Sequence, residues 1–330
     1  MLLSDEICPL EKITIVIPTI KYTSYLDEAI ASCFNVQNIG YDIFVSINSV
    51  SDDFRHSKFW NDERVKWSRT KQYFPSMVDS LNSAIKNSNG EWLFILPDDD
   101  LLQKGFLENV NRSLFTKKTL YATRINIIDV NNNILSVNDK YSMIKYKSHE
   151  MLDLFFKNQI QNHLGLFVFH KEMFDRVGCF KETGYKYGFY IDYVFHGKVI
   201  ANADAIYTSN NIAFSRRENE NQATAKFEIG KSVNDYFTII SDELFSDVNF
   251  RKHAGAIYKN KRIYKESLLK YRFFTEMSKL TNPTFNKEIS KLIMLELVFL
   301  TSWNVTFLFK IRSLFYFSRF LVLFLKRRKF

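Results

Sequence analysis

Trp92 to Leu101 reads W-L-F-I-L-P-D-D-D-L. An apolar run of strand type ends abruptly in three consecutive carboxylates, Asp98, Asp99 and Asp100. Neighbouring carboxylates repel one another and resist burial unless a cation or hydrogen bonds compensate. Oxygen-only sites of this kind suit Mg2+ or Mn2+, usually shared with the phosphates of a substrate. The plainer alternative is a solvated acidic turn capping a helix that starts at Leu101, because Asp is a good N-cap. The triplet by itself leaves both readings open.

The elements that must position the triplet follow from periodicity. Ile13 to Ile17 is a short β-rich run that ends at Pro18-Thr19. Ser24 is placed to cap a helix over Tyr25 to Phe34, with Leu26, Ala29, Ile30 and Cys33 on one face. Tyr41 to Ile47 reads as a second strand leading into the polar turn Asn48 to Asp53, and Val65 to Trp67 as a short third. Met77 to Lys86 has helical period and stops at Asn89-Gly90. Alternating strands and helices predict βαβ crossovers and a largely parallel sheet. Such sheets bind ligands beyond the carboxyl ends of their strands. Pro18-Thr19, the Asn48 turn and the Asp triplet all fall at that edge. Further on, strands are expected over Tyr121 to Ile128 and Gly165 to Phe169. Helices are expected within Tyr146 to Phe156 and over Phe189 to Ile200, and the pattern is helical beyond about residue 229.

Composition narrows the function classes. The 330 residues are 46% hydrophobic and 25% charged, as for one large domain plus an appendage. The net charge is +9, but residues 310 to 330 supply +7 of it and hold no acid. The body therefore lacks the basic patch of a nucleic-acid binder. Three scattered cysteines, Cys8, Cys33 and Cys179, form neither a zinc spacing nor a disulfide framework, which suits a reducing cytosol. The first residues lack the basic start and long apolar stretch of a signal peptide.

The basic end reads as a device of its own. Leu297 to Phe309 is 13 residues without a charge, short of the roughly 20 that span a bilayer. Arg312, Arg319 and Lys326 recur every seven residues along an otherwise apolar stretch, and Lys326 to Lys329 are all basic. A helix of this kind suits a membrane interface with anionic headgroups. The alternative is a core helix docked on the body with its basic end in solvent.

Ile15 to Thr19 (I-V-I-P-T), the amphipathic helix after it, the turn near Asn48 to Asp53, the helix ending at Gly90 and the L-P-D-D-D box occur in an order and spacing that resemble a family 2 glycosyltransferase of the GT-A fold, over roughly residues 11 to 225. The resemblance implies an α/β, Rossmann-like, mainly parallel sheet flanked by helices within residues 1 to 228. Its nucleotide-sugar half would span about 11 to 100 and its acceptor half about 101 to 228. A helical C-terminal region, 229 to 330, follows, with the membrane-associating tail at about 292 to 330.

Residue roles follow from the same likeness. Pro18 and Thr19 lie beside the donor nucleotide. Asn48 faces a uracil edge, with Asp52 or Asp53 as substitutes after a register shift. Asp98 and Asp99 contact the donor, and Asp100, with Asp98, holds Mn2+ or Mg2+. Asp192 is the general base at a helix start, with Glu182 in reserve, and Arg216, or Arg217 beside it in the strand-end segment Phe214 to Glu218, meets the donor diphosphate. The chain departs from the pattern at Ile47 (usually Asp), at Ile191 (usually Glu) and after Arg216, where no His follows. His163 is read as structural, with contact to sugar hydroxyls as its alternative. The implied function is inverting transfer of a sugar, from a UDP-sugar by preference, to a hydroxyl of a lipid-linked saccharide in cell-surface polysaccharide synthesis. The implied place is the cytoplasmic face of the membrane. The rivals are a scaffold on a degenerate transferase fold and a sugar nucleotidyltransferase, which would want a Gly-rich signature that Pro18-Thr19-Ile20-Lys21 lacks.

Overall fold

The computed structural model describes residues 7–37, 39–51, 53–108, 110–137, 141, 143–156, 159–160, 162–183, 190–218 and 242–257. The first half runs β1 (Lys12–Thr19), α1 (Ser24–Cys33), β2 (Gly40–Ile47), β3 (Val65–Arg69), α2 (Met77–Asn87) and β4 (Trp92–Ile95). The second half adds β5 (Leu101–Leu102), β6 (Thr119–Ile128), β7 (Ile134–Val137), β8 (Lys145–Tyr146), α3 (Ser148–Phe156), β9 (Phe167–His170), α4 (Lys171–Arg176), α5 (Ile191–Asn202), β10 (Ala205–Arg217) and α6 (Val248–Ile257). The sheet order is β3-β2-β1-β4-β9-β6-β10-β5, with β7 on β6 and β8 on β10.

β3, β2, β1 and β4 are mutually parallel, as the βαβ spacing predicts. The second half is mixed: β9 runs antiparallel to both β4 and β6, while β10 is parallel to β6. Side chains of β1 and β2 sort by period two into separate apolar layers. Val16 and Phe44 join the layer under α2, α3 and α5. Ile15, Ile17, Ile43 and Val45 join the layer under α1. Cover on both faces is why β1 reads as a mostly apolar run, with Thr14 its one interior polar residue.

Local differences from the sequence reading have simple causes. Ser24 is the first residue of α1 rather than its cap; Thr23 holds the N-cap position without a side-chain bond. Leu101 begins a strand, not a helix: Leu101 and Leu102 pair with Ser215 and Phe214 of β10. The acidic triplet therefore does not cap a helix. The thirteen-residue β10 was legible only at its end, because Ser209-Asn210-Asn211 interrupts it like a turn; register shifts on either side of Ile212 absorb that interruption. Among the described residues, no helix is long and apolar enough to cross a membrane. The C-terminal tail and most of the helical region after 229 lie outside the described residues.

Candidate active site

From β1 the chain moves outward to β2 and β3, then returns to place β4 on the other side of β1. The ends of β1 and β4 thus flank a topological switch point, where open α/β sheets form their ligand crevice. β1 and β4 pair as far as Val16 and Ile95, and Leu96 N–H still donates to Val16 O at 2.9 Å. Pro18 is the next residue of β1 turned toward β4, and it has no N–H to give. The two strands are free to part there.

Thr19, the last residue of β1, bridges the opening. Its hydroxyl lies 2.5 Å from Oδ2 of Asp98 and donates to it. Burial, opposed by that hydroxyl and reinforced by the charge of Asp99, pushes the Asp98 carboxyl up to about 7. Asp100 is 3% exposed. Burial, then Asp99, raises its pKa well above the ordinary carboxylate value, against the pull of the Arg217 backbone N–H and the Arg216 charge. That N–H donates to Asp100 Oδ1 at 2.8 Å. Two carboxylates so placed, each retaining acceptor capacity, form a donor set that fits a hard divalent cation.

Asp192 stands in the first turn of α5, immediately after Tyr190, whose φ of 66° turns the chain into the helix. Burial raises its pKa, while the Tyr193 N–H, the Asn162 amide and the Arg216 charge pull it down. The charge of Arg216 thus favours the ionised form of both Asp100 and Asp192. A raised pKa on a carboxylate near a cation and a crevice marks a functional group better than a surface acid does.

Other expected residues sit differently. Asn48 is at the predicted edge, and its N–H donates to Thr19 O at 2.8 Å. Its buried side chain, however, is committed to the backbone of Phe74, donating to the carbonyl and accepting from the N–H, each at 2.8 Å. Asn48 holds the 70–74 loop rather than facing a base. Glu182 is exposed and accepts from Ser76, the residue that caps α2. It belongs to the clasp between its loop and α2, which Asn82 completes by bonding both backbone groups of Phe180. Asp52 lies outside the described residues; Asp53 starts a short 3-10 turn. Asn162 was not foreseen, and Arg217, the alternative to Arg216 for the diphosphate, is instead buried and paired with Glu28.

A second group, Cys8, Glu91 and His170, brings ligand-type atoms within 4.8 Å of one another. It lies at the start of β4, the opposite edge of the sheet from Asp98. His170 Nδ1 accepts from the Glu172 N–H, so the neutral ring carries its hydrogen on Nε2 and has no lone pair there for a metal. It is not the metal box.

The family model for glycosyl transferase family 2 matches residues 14–180. The chain belongs to glycosyl transferase family 2. This transferase aligns with the crystal structure of S. aureus TarS 1–349 in complex with UDP-GlcNAc at a TM-score of 0.56 and 16% identity, covering 89% of this chain and 82% of that one. The TarS 1–349 structure described without a ligand gives 0.54 and 16%, covering 86% and 79%. The TarS complex with UDP gives 0.53 and 16%, covering 86% and 78%. At that identity the likeness speaks for the GT-A fold. No curated protein sequence matches. The glycosyltransferase's matched region runs from inside β1 through the Asp triplet to Phe180, so it contains the Asp box and stops short of Asp192 and Arg216.

Proposed function

We propose that the chain is an inverting, metal-dependent glycosyltransferase that moves a sugar from a UDP-sugar to a hydroxyl of a saccharide acceptor. The observation that carries this reading is the Asp box at the switch point of a family 2 transferase sheet, with Asp98 held by the Thr19 hydroxyl and Asp100 by the Arg217 N–H. A donor diphosphate beside Arg216 would have the Asp box on one side and a base on the other. The TarS structures with UDP-GlcNAc and UDP favour a uridine diphosphate donor.

Asp98 and Asp100 would hold Mn2+ or Mg2+, whose chemistry is to neutralise charge on the departing diphosphate. Thr19 orients Asp98, and the Arg217 N–H orients Asp100. Arg216 meets diphosphate oxygens. Asp192 takes the acceptor hydroxyl proton as the new bond forms on the face opposite the leaving group. Its raised pKa makes it a stronger base than an ordinary carboxylate, and Asn162 steadies it. The acceptor is lipid-linked in this reading, and the enzyme sits on the cytoplasmic face of the membrane, held by the basic tail from about residue 292. The apolar and basic pattern of that tail is the support for both statements.

The test is a screen of UDP-, GDP- and dTDP-sugars with Mn2+, read by saturation-transfer NMR and by nucleotide release. UDP-sugar binding, and release of UDP that stops in Asp100→Asn and in Asp192→Asn, is the expected result. Binding of no nucleotide sugar, or unchanged release in either variant, overturns the reading or the role of that residue.

A further inference from the structure

His163 is a buried polar side chain that packing leaves unexplained. It is 5% exposed, and its ring stacks on Phe214 at 4.6 Å and 4°. A phenyl ring would stack as well. Yet neither Nδ1 nor Nε2 has a hydrogen-bond partner among the described residues. Buried polar atoms without partners are uncommon and call for a reason, a ligand being one. The charges acting on the ring are those of Arg216 and His196, with no carboxylate among them.

Those neighbours decide what the ring is suited to bind. They and burial keep the imidazole neutral, so it offers one donor and one acceptor. A phosphate only accepts and would leave the ring's own acceptor unmatched, and a lone neutral imidazole with no carboxylate acting on it is a poor site for a hard cation. A hydroxyl donates and accepts, and it matches. The residue before it is tied to the chemistry. Asn162 Oδ1 accepts from Nδ1–H of His196 at 2.8 Å, and the Asn162 side chain favours the ionised form of Asp192. Arg216 acts on His163, Asp192 and Asp100 alike. We propose that His163 binds a saccharide hydroxyl in the crevice beside Asp192, while Asn162 is the positioning residue for that base. This rests on the transferase reading above.

His163→Phe keeps the stack and removes both nitrogens; His163→Gln restores a donor and an acceptor. His163→Phe is expected to keep its UDP affinity, measured by calorimetric titration with Mn2+, and to lose about tenfold to hundredfold in kcat/KM. His163→Gln should recover part of that loss. A loss seen also in acceptor-free hydrolysis of the UDP-sugar places the hydroxyl on the transferred sugar; a loss seen only in transfer places it on the acceptor. Should His163→Phe fail to fold, wild-type enzyme with singly deoxygenated donors and acceptors carries the test, and one of them should lose the same factor that His163→Gln alters. An active wild type with an indifferent His163→Phe, or a loss of UDP affinity in equal proportion, overturns this inference alone. A wild type that turns over no nucleotide sugar overturns the transferase reading and this one with it.

Discussion

The backbone N–H of Arg217 donates to Oδ1 of Asp100, which fixes the end of β10 to the Asp triplet. The guanidinium of the same residue points to the other side. It is fully buried, pairs with Glu28 of α1 at 2.7 Å, donates to Asn132 Oδ1 at 2.9 Å and lies 4.2 Å over the Tyr25 ring. One residue thus joins α1, the β6–β7 turn and Asp100. Removing one partner of a buried pair leaves the other charge uncompensated, which costs more than removing the buried charge itself. Glu28→Leu is expected to cost about 2 kcal/mol, at the low end because Glu28 keeps 39% exposure. Arg217→Met should cost less, because the abandoned Glu28 can reach water. Urea midpoints at unchanged m-value measure both. Equal losses, or none, would remove Arg217 as the strut of the box.

The metal box also sets a pH dependence. The Asp98 carboxyl is pushed up to about 7 in the folded chain from an ordinary 3.8, chiefly by burial. Between those values the native state holds a proton that the unfolded state has released. Asp98 should therefore contribute stability to the metal-free protein that is lost as pH rises from about 4 to about 7. Mn2+ requires the ionised carboxylate, so its stabilising effect should be small at pH 5 and grow toward pH 8. Thermal scans across pH, with and without Mn2+, check both trends. An Mn2+ gain that does not vary with pH speaks against Asp98 as a ligand.

The parts of this site that were legible in sequence share one property: their signal is local. A β-rich run that stops at Pro18-Thr19, or at Asp98, announces a strand end and a polar edge within a few residues. The parts that were missed depend on partners far along the chain. Arg217 was read as an alternative diphosphate contact, and its burial against Glu28, on a helix of the other half, shows only in the fold. Asn162 matters because α5 brings Asp192 and His196 to it. Asn48 was placed at the right edge and given the wrong task, since the Phe74 backbone that takes up its amide is visible only in the fold.

Asp192 is expected to govern the acidic limb of the activity profile. A base works only when ionised, and its raised pKa moves that limb above the ordinary carboxylate value. Asp192→Asn should cost about 100-fold to 10,000-fold in kcat. Asn162→Leu removes a hydrogen bond that favours the ionised form, so its limb should move to higher pH while UDP affinity holds. Profiles of kcat against pH separate the two variants. A limb unmoved in Asn162→Leu denies Asn162 its positioning role.

Gly90 carries the last prediction, and its reason differs from the sequence reading. As a helix terminus it was expected to serve α2, but α2 already closes at Ser88, whose N–H donates to Ala84 O. What Gly90 permits is the close approach of the chain entering β4 to Thr14 of β1. A Cβ at Gly90 would lie 2.1 Å from Thr14 Oγ1 and 2.7 Å from Thr14 Cβ. Thr14 is buried in the sheet core and cannot swing away. Gly90→Ala should therefore destabilise the protein by about 2 kcal/mol through overpacking. Adding Thr14→Ala removes the nearer contact and keeps the farther one, so the double variant should recover only part of the loss. A double-mutant cycle in urea reads this coupling. Strict additivity would mean that β1 and the entry to β4 do not press on each other at this point. Because Thr19 and Asp98 stand at the far ends of these two strands, Gly90→Ala should also weaken Mn2+ binding if the misfit shifts the register of β4.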